Sequence, residues 1–200
     1  MKTALLLSGG MDSIAIAFWK RPDVAFTIDY GQLSAKGEIQ AAQTVARTLA
    51  IPHEVLNVDC SQFGSGDLAG KAPLPLAPVS EWWPFRNQLL LTIAGMRGVT
   101  LAVDTLLFGS VKTDQRHADG RPEFFNAMGQ AFLLQEGGLQ VLAPALHLTT
   151  LELIKLSGIP LSLLAWAHSC HVFDFACGNC RGCFKYVDVM KELQHEQSKA

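Results

Sequence analysis

The stretch A-L-L-L-S-G-G-M-D-S, residues 4–13, decides the fold. Its apolar first half predicts a buried strand, and the serine and glycines that follow predict a tight loop. Apolar residues recur at Ile14, Ala17 and Phe18, so we expect a short helix over residues 12–19. Such a loop places backbone N–H groups and a helix N-terminus at the carboxyl edge of a sheet, where open α/β sheets bind ligands. Glycines let these N–H groups approach phosphate oxygens, so the stretch predicts a phosphate site.

Strands and helices continue to alternate along the chain. Further strands are predicted at residues 24–28, 55–58, 105–108 and 141–143, and further helices at residues 35–49, 86–99, 122–136, 149–157 and 185–197. This alternation predicts a Rossmann-like α/β fold, with a parallel five-stranded sheet and helices on both faces. Residues 60–84 are rich in glycine and proline without a clear period, so we expect a long loop near the site.

Bulk composition narrows the class of protein. A chain of 200 residues, 49% of them hydrophobic, suffices for one α/β domain with a real core. A net charge of −2 argues against broad nonspecific binding to nucleic acid. No apolar run reaches the roughly 18–20 residues that span a bilayer, and the apolar start is too short for a signal peptide. We therefore expect a cytoplasmic protein that binds neither nucleic acid nor membrane.

Four cysteines form a compact cluster near the C-terminus. Cys170, Cys177, Cys180 and Cys183 follow the spacing C-x6-C-x2-C-x2-C, which lets the thiolates converge on one ion. Four thiolates suit tetrahedral Zn²⁺ and leave no open position, so a structural zinc site is predicted. A redox CxxC pair and an iron–sulfur cluster are the alternatives. We divide the chain into an α/β domain at residues 1–165 and a metal-binding segment with its C-terminal helix, packed on that domain, at residues 166–200.

The glycine loop resembles one known nucleotide signature. Residues 8–13 lack the Gly-Lys-Ser/Thr ending of a Walker A loop and do not form a dinucleotide fingerprint. They resemble the SGGxDS signature of the PP-loop ATP pyrophosphatases. This resemblance implies that ATP is cleaved between its α and β phosphates and that AMP is transferred to an acceptor. The alternative is a plain Gly-Gly turn between a strand and a helix.

Together, the loop and the cysteines resemble the QueC family of 7-cyano-7-deazaguanine synthases. Residues 29–32 resemble its DYGQ segment, which Glu38 and Ile39 follow, and residues 84–87 resemble its P-G-R-N. The pairs Thr113-Asp114 and Glu123-Phe124, with Arg121, resemble its acceptor-binding stretch, and residues 169–170 and 177–183 resemble its zinc ligands.

The resemblance implies a role for each matching residue. The implied catalytic residues are Asp12, Ser13 and Arg86. The implied ATP-binding residues are Ser8, Gly9, Gly10, Met11, Asp12, Ser13, Asp29, Tyr30, Arg86 and Asn87. The implied deazaguanine-binding residues are Gln32, Thr113, Asp114, Arg121 and Glu123, and the implied zinc ligands are the four clustered cysteines.

The implied chemistry has two rounds, each of which consumes one ATP with Mg²⁺. In the first, a 7-carboxy-7-deazaguanine carboxylate is adenylated and ammonia converts it to an amide. In the second, the amide oxygen is adenylated and loss of AMP gives the nitrile. The resemblance also implies a homodimer.

Several positions depart from the family pattern, and they leave the acceptor open. Phe85 stands in place of a glycine, Leu33-Ser34 in place of Arg-His, and Thr150 in place of a lysine, while residues 115–120 replace the usual S-G-Y-P-D-C. One alternative is a QueC-like paralogue of the kind found in bacterial defence gene clusters, which joins the adenylated acid to an amine of a protein. The other is a nucleotide-binding module without turnover.

Overall fold

A computed structural model describes residues 1–197 of the chain. The five strands are β1 Thr3–Leu6, β2 Val24–Asp29, β3 His53–Asn57, β4 Thr105–Leu107 and β5 Gln140–Leu142. The seven α-helices of this range are α1 Met11–Lys20, α2 Ala35–Thr48, α3 Arg86–Thr100, α4 Pro122–Leu133, α5 Thr150–Ser157, α6 Leu161–Leu164 and α7 Arg181–Gln197. Short 3₁₀ helices at Ser61–Phe63, Asp67–Ala69, Lys112–Arg116 and Ala118–Gly120 complete the regular structure.

The strands form one parallel sheet in the order β3-β2-β1-β4-β5, which confirms the predicted fold class. The chain moves outward from β1 through β2 to β3, and then crosses to the other side of β1 to form β4. The order therefore reverses between β1 and β4, and such a switch point opens a crevice at the carboxyl edge of the sheet. The predicted phosphate loop follows β1 directly at this crevice.

Side chains of β1 alternate between two hydrophobic layers, one on each face of the sheet. Leu5 and Leu7 pack with the layer that α1, α2, α5 and the end of α7 cover. Ala4 and Leu6 pack with the layer that α3 and α4 cover. Both faces of a parallel sheet are buried in this way because the crossover helices lie against them. No helix within residues 1–197 is long and apolar enough to cross a membrane.

Several elements differ from the predicted ones, and α4 ends at Leu133, three residues before its predicted end. β3 begins at His53 rather than at residue 55, because pairing with β2 extends to the Ala25–His53 pair. α6 was not predicted, since four residues are too few to show a helical period. α7 begins at Arg181, four residues before the predicted start. Its first turn holds a glycine and a cysteine, which carry no amphipathic pattern.

The cysteine segment and α7 pack on the α/β layers. Leu193 lies in the same buried layer as Ile14, and Tyr186, Val189 and Met190 contact that layer. The backbone N–H of His168 donates to the carbonyl oxygen of Gly9 at 2.9 Å. The C-terminal segment thus touches the phosphate loop itself. The last three residues of the segment predicted at residues 166–200 lie outside the described part of the chain.

The residue before α3 has an unusual backbone. Phe85 has φ 56° and ψ 18°, in the left-handed region that glycine adopts freely. Its side chain is 75% exposed, so burial of the ring does not offset the strain. Position 85 therefore has a backbone conformation that favours glycine, and Phe85 places an exposed aromatic ring next to Arg86.

We expect Phe85→Gly to raise the free energy of unfolding by about 0.5–1 kcal/mol. The left-handed conformation costs a residue with a side chain about 1–2 kcal/mol, and the greater freedom of unfolded glycine offsets part of the gain. The matched control is Phe63→Gly, because Phe63 is 67% exposed but has no positive φ. Urea denaturation should show a gain for the first variant and none for the second; equal losses in both would contradict the account.

Candidate functional site

A cavity of about 670 Å³ opens at the crevice between β1 and β4. The residues after both strands form its floor, and the first turn of α1 forms one side. The ends of these elements lie close together, since a Cβ on Gly109 would come within 3.3 Å of the Cα of Ser13. A cavity of this size at a switch point accommodates a ligand such as a nucleotide.

The two glycines of the loop have different structural roles. Gly9 has φ 78°, and a Cβ there would lie 2.5 Å from the carbonyl oxygen of Glu38 in α2. Gly10 is extended, and a Cβ there would make ordinary contacts at 3.6 Å with Ser8 Oγ. Gly9 is therefore required by packing, whereas Gly10 lines the cavity and leaves its surface open.

Two serine hydroxyl groups lie at the N-terminus of α1. Ser13 Oγ donates to the carbonyl oxygen of Gly10 at 3.0 Å and lies 3.2 Å from Ser8 Oγ. Both serines line the cavity. With the free N–H groups at the start of α1, they form a cluster of donors suited to phosphate oxygens.

The turn after β2 is held by its own side chains. Gln32 Oε1 accepts from the backbone N–H of Tyr30 at 2.9 Å, and its Nε2 donates to Glu38 Oε2 at 2.9 Å. Asp29 Oδ1 accepts from the N–H of Gly31 at 3.1 Å. Gln32 and Asp29 therefore form the turn rather than the cavity wall, whereas Tyr30 and Glu38 line the cavity.

Arg86 lies among acidic and phenolic groups. Burial alone would lower the pKa of its guanidinium, but Tyr30, Asp119 and Glu38 more than offset this effect, and the pKa is raised. Burial also raises the pKa of Glu38, against the hydrogen bonds from Ser34 and Gln32 that lower it. The Arg86 guanidinium therefore stays charged at the cavity wall, and its charge favours anions.

The residues between 113 and 123 that are predicted to bind the deazaguanine substrate separate into two groups. Thr113 and Asp114 line the cavity. Asp114 Oδ2 accepts from the N–H of Val111 at 3.0 Å, while burial raises the pKa of its carboxyl group. Arg121 and Glu123 are exposed and lie outside the cavity wall, and Arg121 Nε donates to the carbonyl oxygen of Gln115 at 3.0 Å.

The remaining predicted residues are placed as follows. Met11, Asp12 and Asn87 line the cavity, together with Ser8, Gly10, Ser13, Tyr30 and Arg86. Asn87 Nδ2 donates to the carbonyl oxygen of Asp119 at 2.9 Å, which ties the start of α3 to the segment at residues 115–120.

Several charged residues of the cavity wall were not predicted as site residues, and four of its charged groups form two ion pairs. Lys185 Nζ lies 2.8 Å from Asp12 Oδ2, and Arg181 Nη1 lies 3.2 Å from Glu81 Oε1. The spacing of Arg181 and Lys185 is the signal that reveals them, because residues four apart share a helix face. With the helix predicted to begin at residue 185, that spacing was not visible.

The four cysteine sulfurs converge. They all lie within 4.8 Å of one another. The Cys177–Cys183 sulfur pair is 3.8 Å apart and the Cys170–Cys180 pair 4.0 Å. A tetrahedron with Zn–S bonds of about 2.3 Å has sulfur–sulfur edges of about 3.8 Å, so the residues fit this ion.

Backbone amides point at the same sulfurs. The N–H groups of His171 and Asn179 donate to Cys180 Sγ and Cys177 Sγ, both at 3.4 Å, and that of Cys183 donates to Cys180 Sγ at 3.5 Å. Such bonds stabilise thiolates, the form of cysteine that binds metals. The cluster is therefore able to hold a metal ion. Cys60 lies outside it, as predicted.

Comparisons with known proteins agree with this geometry. A family model described as queuosine biosynthesis protein QueC matches residues 2–193. A 7-cyano-7-deazaguanine synthase of Nostoc punctiforme is 34% identical over 219 residues, covering 96% of this chain and 96% of that protein. One of Desulforudis audaxviator is 32% identical over 213 residues, covering 92% of this chain and 93% of that protein.

Among solved structures, the U34-tRNA thiolase NcsA from Methanococcus maripaludis, with its [4Fe-4S] cluster, superposes with a TM-score of 0.55. It is 16% identical, and the match covers 98% of this chain and 66% of that chain. At this identity the likeness shows a shared fold alone.

We expect Gly9→Ala to lower the free energy of unfolding by at least about 2 kcal/mol, or to prevent folding. A left-handed residue with a side chain costs about 1–2 kcal/mol, and the contact with Glu38 adds to this cost. Gly10→Ala is the matched control and should stay within about 1 kcal/mol of the wild type. Urea denaturation compares the two, and equal losses would refute the distinction.

Proposed function

The chain belongs to the QueC family of queuosine biosynthesis proteins, and from this premise we propose that it is an ATP-dependent, AMP-forming carbon–nitrogen ligase that acts on 7-carboxy-7-deazaguanine. The observation that carries the proposal is the Ser8–Ser13 loop, whose hydroxyl groups and helix N-terminus face the cavity at the switch point of the sheet. The names of the relatives support the deazaguanine substrate.

In the proposed reaction, a carboxylate oxygen of the substrate attacks the α-phosphorus of ATP and pyrophosphate leaves. Ammonia then attacks the acyl carbon, AMP leaves, and a proton is released as the amide forms. In the second round, the amide oxygen attacks the α-phosphorus of another ATP and pyrophosphate leaves. Loss of AMP and of the N–H protons then yields the nitrile, 7-cyano-7-deazaguanine.

We assign phosphate binding to Ser8, Ser13 and Arg86. The serines and the start of α1 supply neutral donors, and the Arg86 guanidinium supplies a planar pair of N–H donors that suits phosphate. These groups bind negative charge that increases as pyrophosphate departs, so they stabilise the transition state more than the ground state.

Asp12 is the residue whose carboxylate fits Mg²⁺. Its Oδ1 is buried without a hydrogen-bond partner, while Oδ2 contacts Lys185. A bound Mg²⁺ would offset charge on the ATP phosphates.

The guanine-like edge of the substrate presents N–H donors, which carboxylates accept. We propose that Asp114 and Thr113 contact it, since they line the cavity whereas Gln32, Arg121 and Glu123 do not. Glu81 is a further acceptor, because its Oε2 is buried without a hydrogen-bond partner. Asp29 and Gln32 would act indirectly, by holding the turn that carries Tyr30 and Glu38.

A protein amine is the second candidate for the acceptor of the activated acid. The observation that favours it is the position of the departures from the family pattern, since Arg116, His117 and Thr150 all line the cavity. A changed wall beside an unchanged phosphate loop fits the same adenylate with a different nucleophile. A module without turnover fits less well, because nucleotide binding alone does not need the buried carboxylate oxygen of Asp12 that has no hydrogen-bond partner.

We also propose a homodimer, following the family resemblance. Apolar side chains on α3 and α4 support it. Met96 and Val99 are exposed and line a groove together with Phe132, and grooved apolar surfaces of this kind are typical of interaction sites.

Product analysis tests the reaction. The protein is incubated with ATP, Mg²⁺, ammonia and 7-carboxy-7-deazaguanine, and the products are followed by mass spectrometry. We expect AMP, pyrophosphate and the nitrile. Arg86→Ala should slow AMP release roughly 100-fold or more, as expected for the loss of a charged phosphate contact. Arg47→Ala removes an exposed arginine of α2 and is the control.

The alternatives give different products. ADP in place of AMP would refute the proposal altogether. An amide that is never converted to nitrile, together with a mass increment on a co-expressed protein, would establish the protein-amine reading. No nucleotide turnover with any acid would support the inert module.

We propose that the cysteine cluster holds one structural Zn²⁺ per chain. Cys180→Ser should abolish zinc in elemental analysis and lower the melting temperature by at least about 10 °C, because structural zinc contributes folding free energy. Cys60→Ser is the control, since Cys60 lies outside the cluster. Iron with inorganic sulfide would identify a cluster instead of zinc, and a metal-free Cys180→Ser protein of wild-type stability would refute a structural site.

A further inference from the structure

Helix α7 contributes two cations to the lining of the proposed nucleotide cavity. Arg181 and Lys185 both line it, and their spacing of four residues places them one turn apart on the same face. Neither residue belongs to the phosphate loop or to the motifs after β2 and before α3. The cysteine segment therefore contributes two cations to the cavity, each paired with an acid that also lines it. Glu192 of the same helix lines the cavity as well.

Lys185 lies directly opposite the phosphate loop. Its Nζ is 2.8 Å from Asp12 Oδ2, and its side chain keeps 37% of its surface exposed. An ammonium group has three N–H donors, so contact with one carboxylate oxygen leaves donors for another anion. Within residues 1–197, Lys185 is also the lysine that lines this cavity.

Position 150 shows why the cavity depends on a lysine from α7 for its amine. Thr150 replaces the lysine of the family pattern, lines the same cavity and is 3% exposed. Its Oγ1 is buried without a hydrogen-bond partner. A threonine supplies no positive charge, so among residues 1–197 Lys185 is the lysine that remains to the cavity.

We propose that Lys185 binds the triphosphate of ATP and takes the place of a lysine at position 150. The proposal rests on the ATP-dependent function given above. Lys185 contacts the phosphate oxygens as a point charge while Asp12 holds its Nζ at the mouth of the loop. The site is thus completed by a residue 173 positions away from its loop partner.

The cysteine centre determines where Lys185 lies. Cys183 is in the first turn of α7, two residues before Lys185. Gly182 packs so tightly that a Cβ there would come within 1.8 Å of the carbonyl oxygen of Ser169, next to Cys170. The first turn of α7 is therefore fixed by the cysteine ligands, and the predicted metal site positions a nucleotide-binding residue as well as stabilising the fold.

Nucleotide affinity tests the proposal on the metal-loaded protein. Titration calorimetry compares Lys185→Met with Lys191→Met, which removes an exposed lysine of the same helix. We expect Lys185→Met to weaken ATP binding about 10- to 100-fold, as for the loss of one charge-assisted hydrogen bond. Binding of adenosine, which has no phosphate, should not change, and Lys185→Arg should keep most of the ATP affinity. Lys191→Met should match the wild type.

A double variant tests whether a lysine at position 150 can replace Lys185. Adding Thr150→Lys to Lys185→Met should recover at least a part of the lost ATP affinity. If Lys185→Met does not fold, Lys185→Gln replaces it with the same readouts. Unchanged ATP affinity in the variant, or equal losses for ATP and adenosine, would overturn the inference. A wild-type protein that binds no ATP would instead refute the proposed function.

Discussion

Close approach of backbones at Gly9 underlies the whole site. The carbonyl oxygen of Glu38 lies where a side chain on Gly9 would be, and the Gly9 carbonyl oxygen accepts from the N–H of His168. β1, α2 and the cysteine segment therefore meet at one residue without a side chain. The donors of Ser8 and Ser13 lie beside this meeting point, and the turn of Gln32 is joined to it by the hydrogen bond between Gln32 and Glu38.

Local patterns predicted the sheet and the phosphate loop because each depends on residues close in sequence. The apolar run at residues 4–7 and the glycines after it define a strand and a loop without reference to the rest of the chain. The resemblance to family motifs was less informative about where each side chain points. Gln32 and Glu123 match a family pattern, yet one side chain is folded into its own turn and the other is exposed. A residue type does not reveal which way its side chain points, since that depends on packing.

The two cations of α7 were not predicted for a different reason. Arg181, Gly182 and Cys183 show no amphipathic period, so the sequence pattern did not indicate where α7 begins. Without that start, it could not be predicted that Arg181 and Lys185 share a helix face. Glu81 was missed because it lies in a glycine- and proline-rich segment without a motif. Its importance appears only through the ion pair with Arg181. Contacts between segments that are distant in sequence are the part of a site that is hardest to predict from local sequence patterns.

The pairing of Asp12 with Lys185 also has a consequence for synthesis of the chain. The two residues are 173 positions apart, so the ribosome releases the phosphate loop long before the lysine that faces it. All five strands end by Leu142, so the whole sheet is synthesised before the side of the cavity that α7 supplies. On our proposal, ATP binding reaches its full strength only when the last helix has joined the sheet.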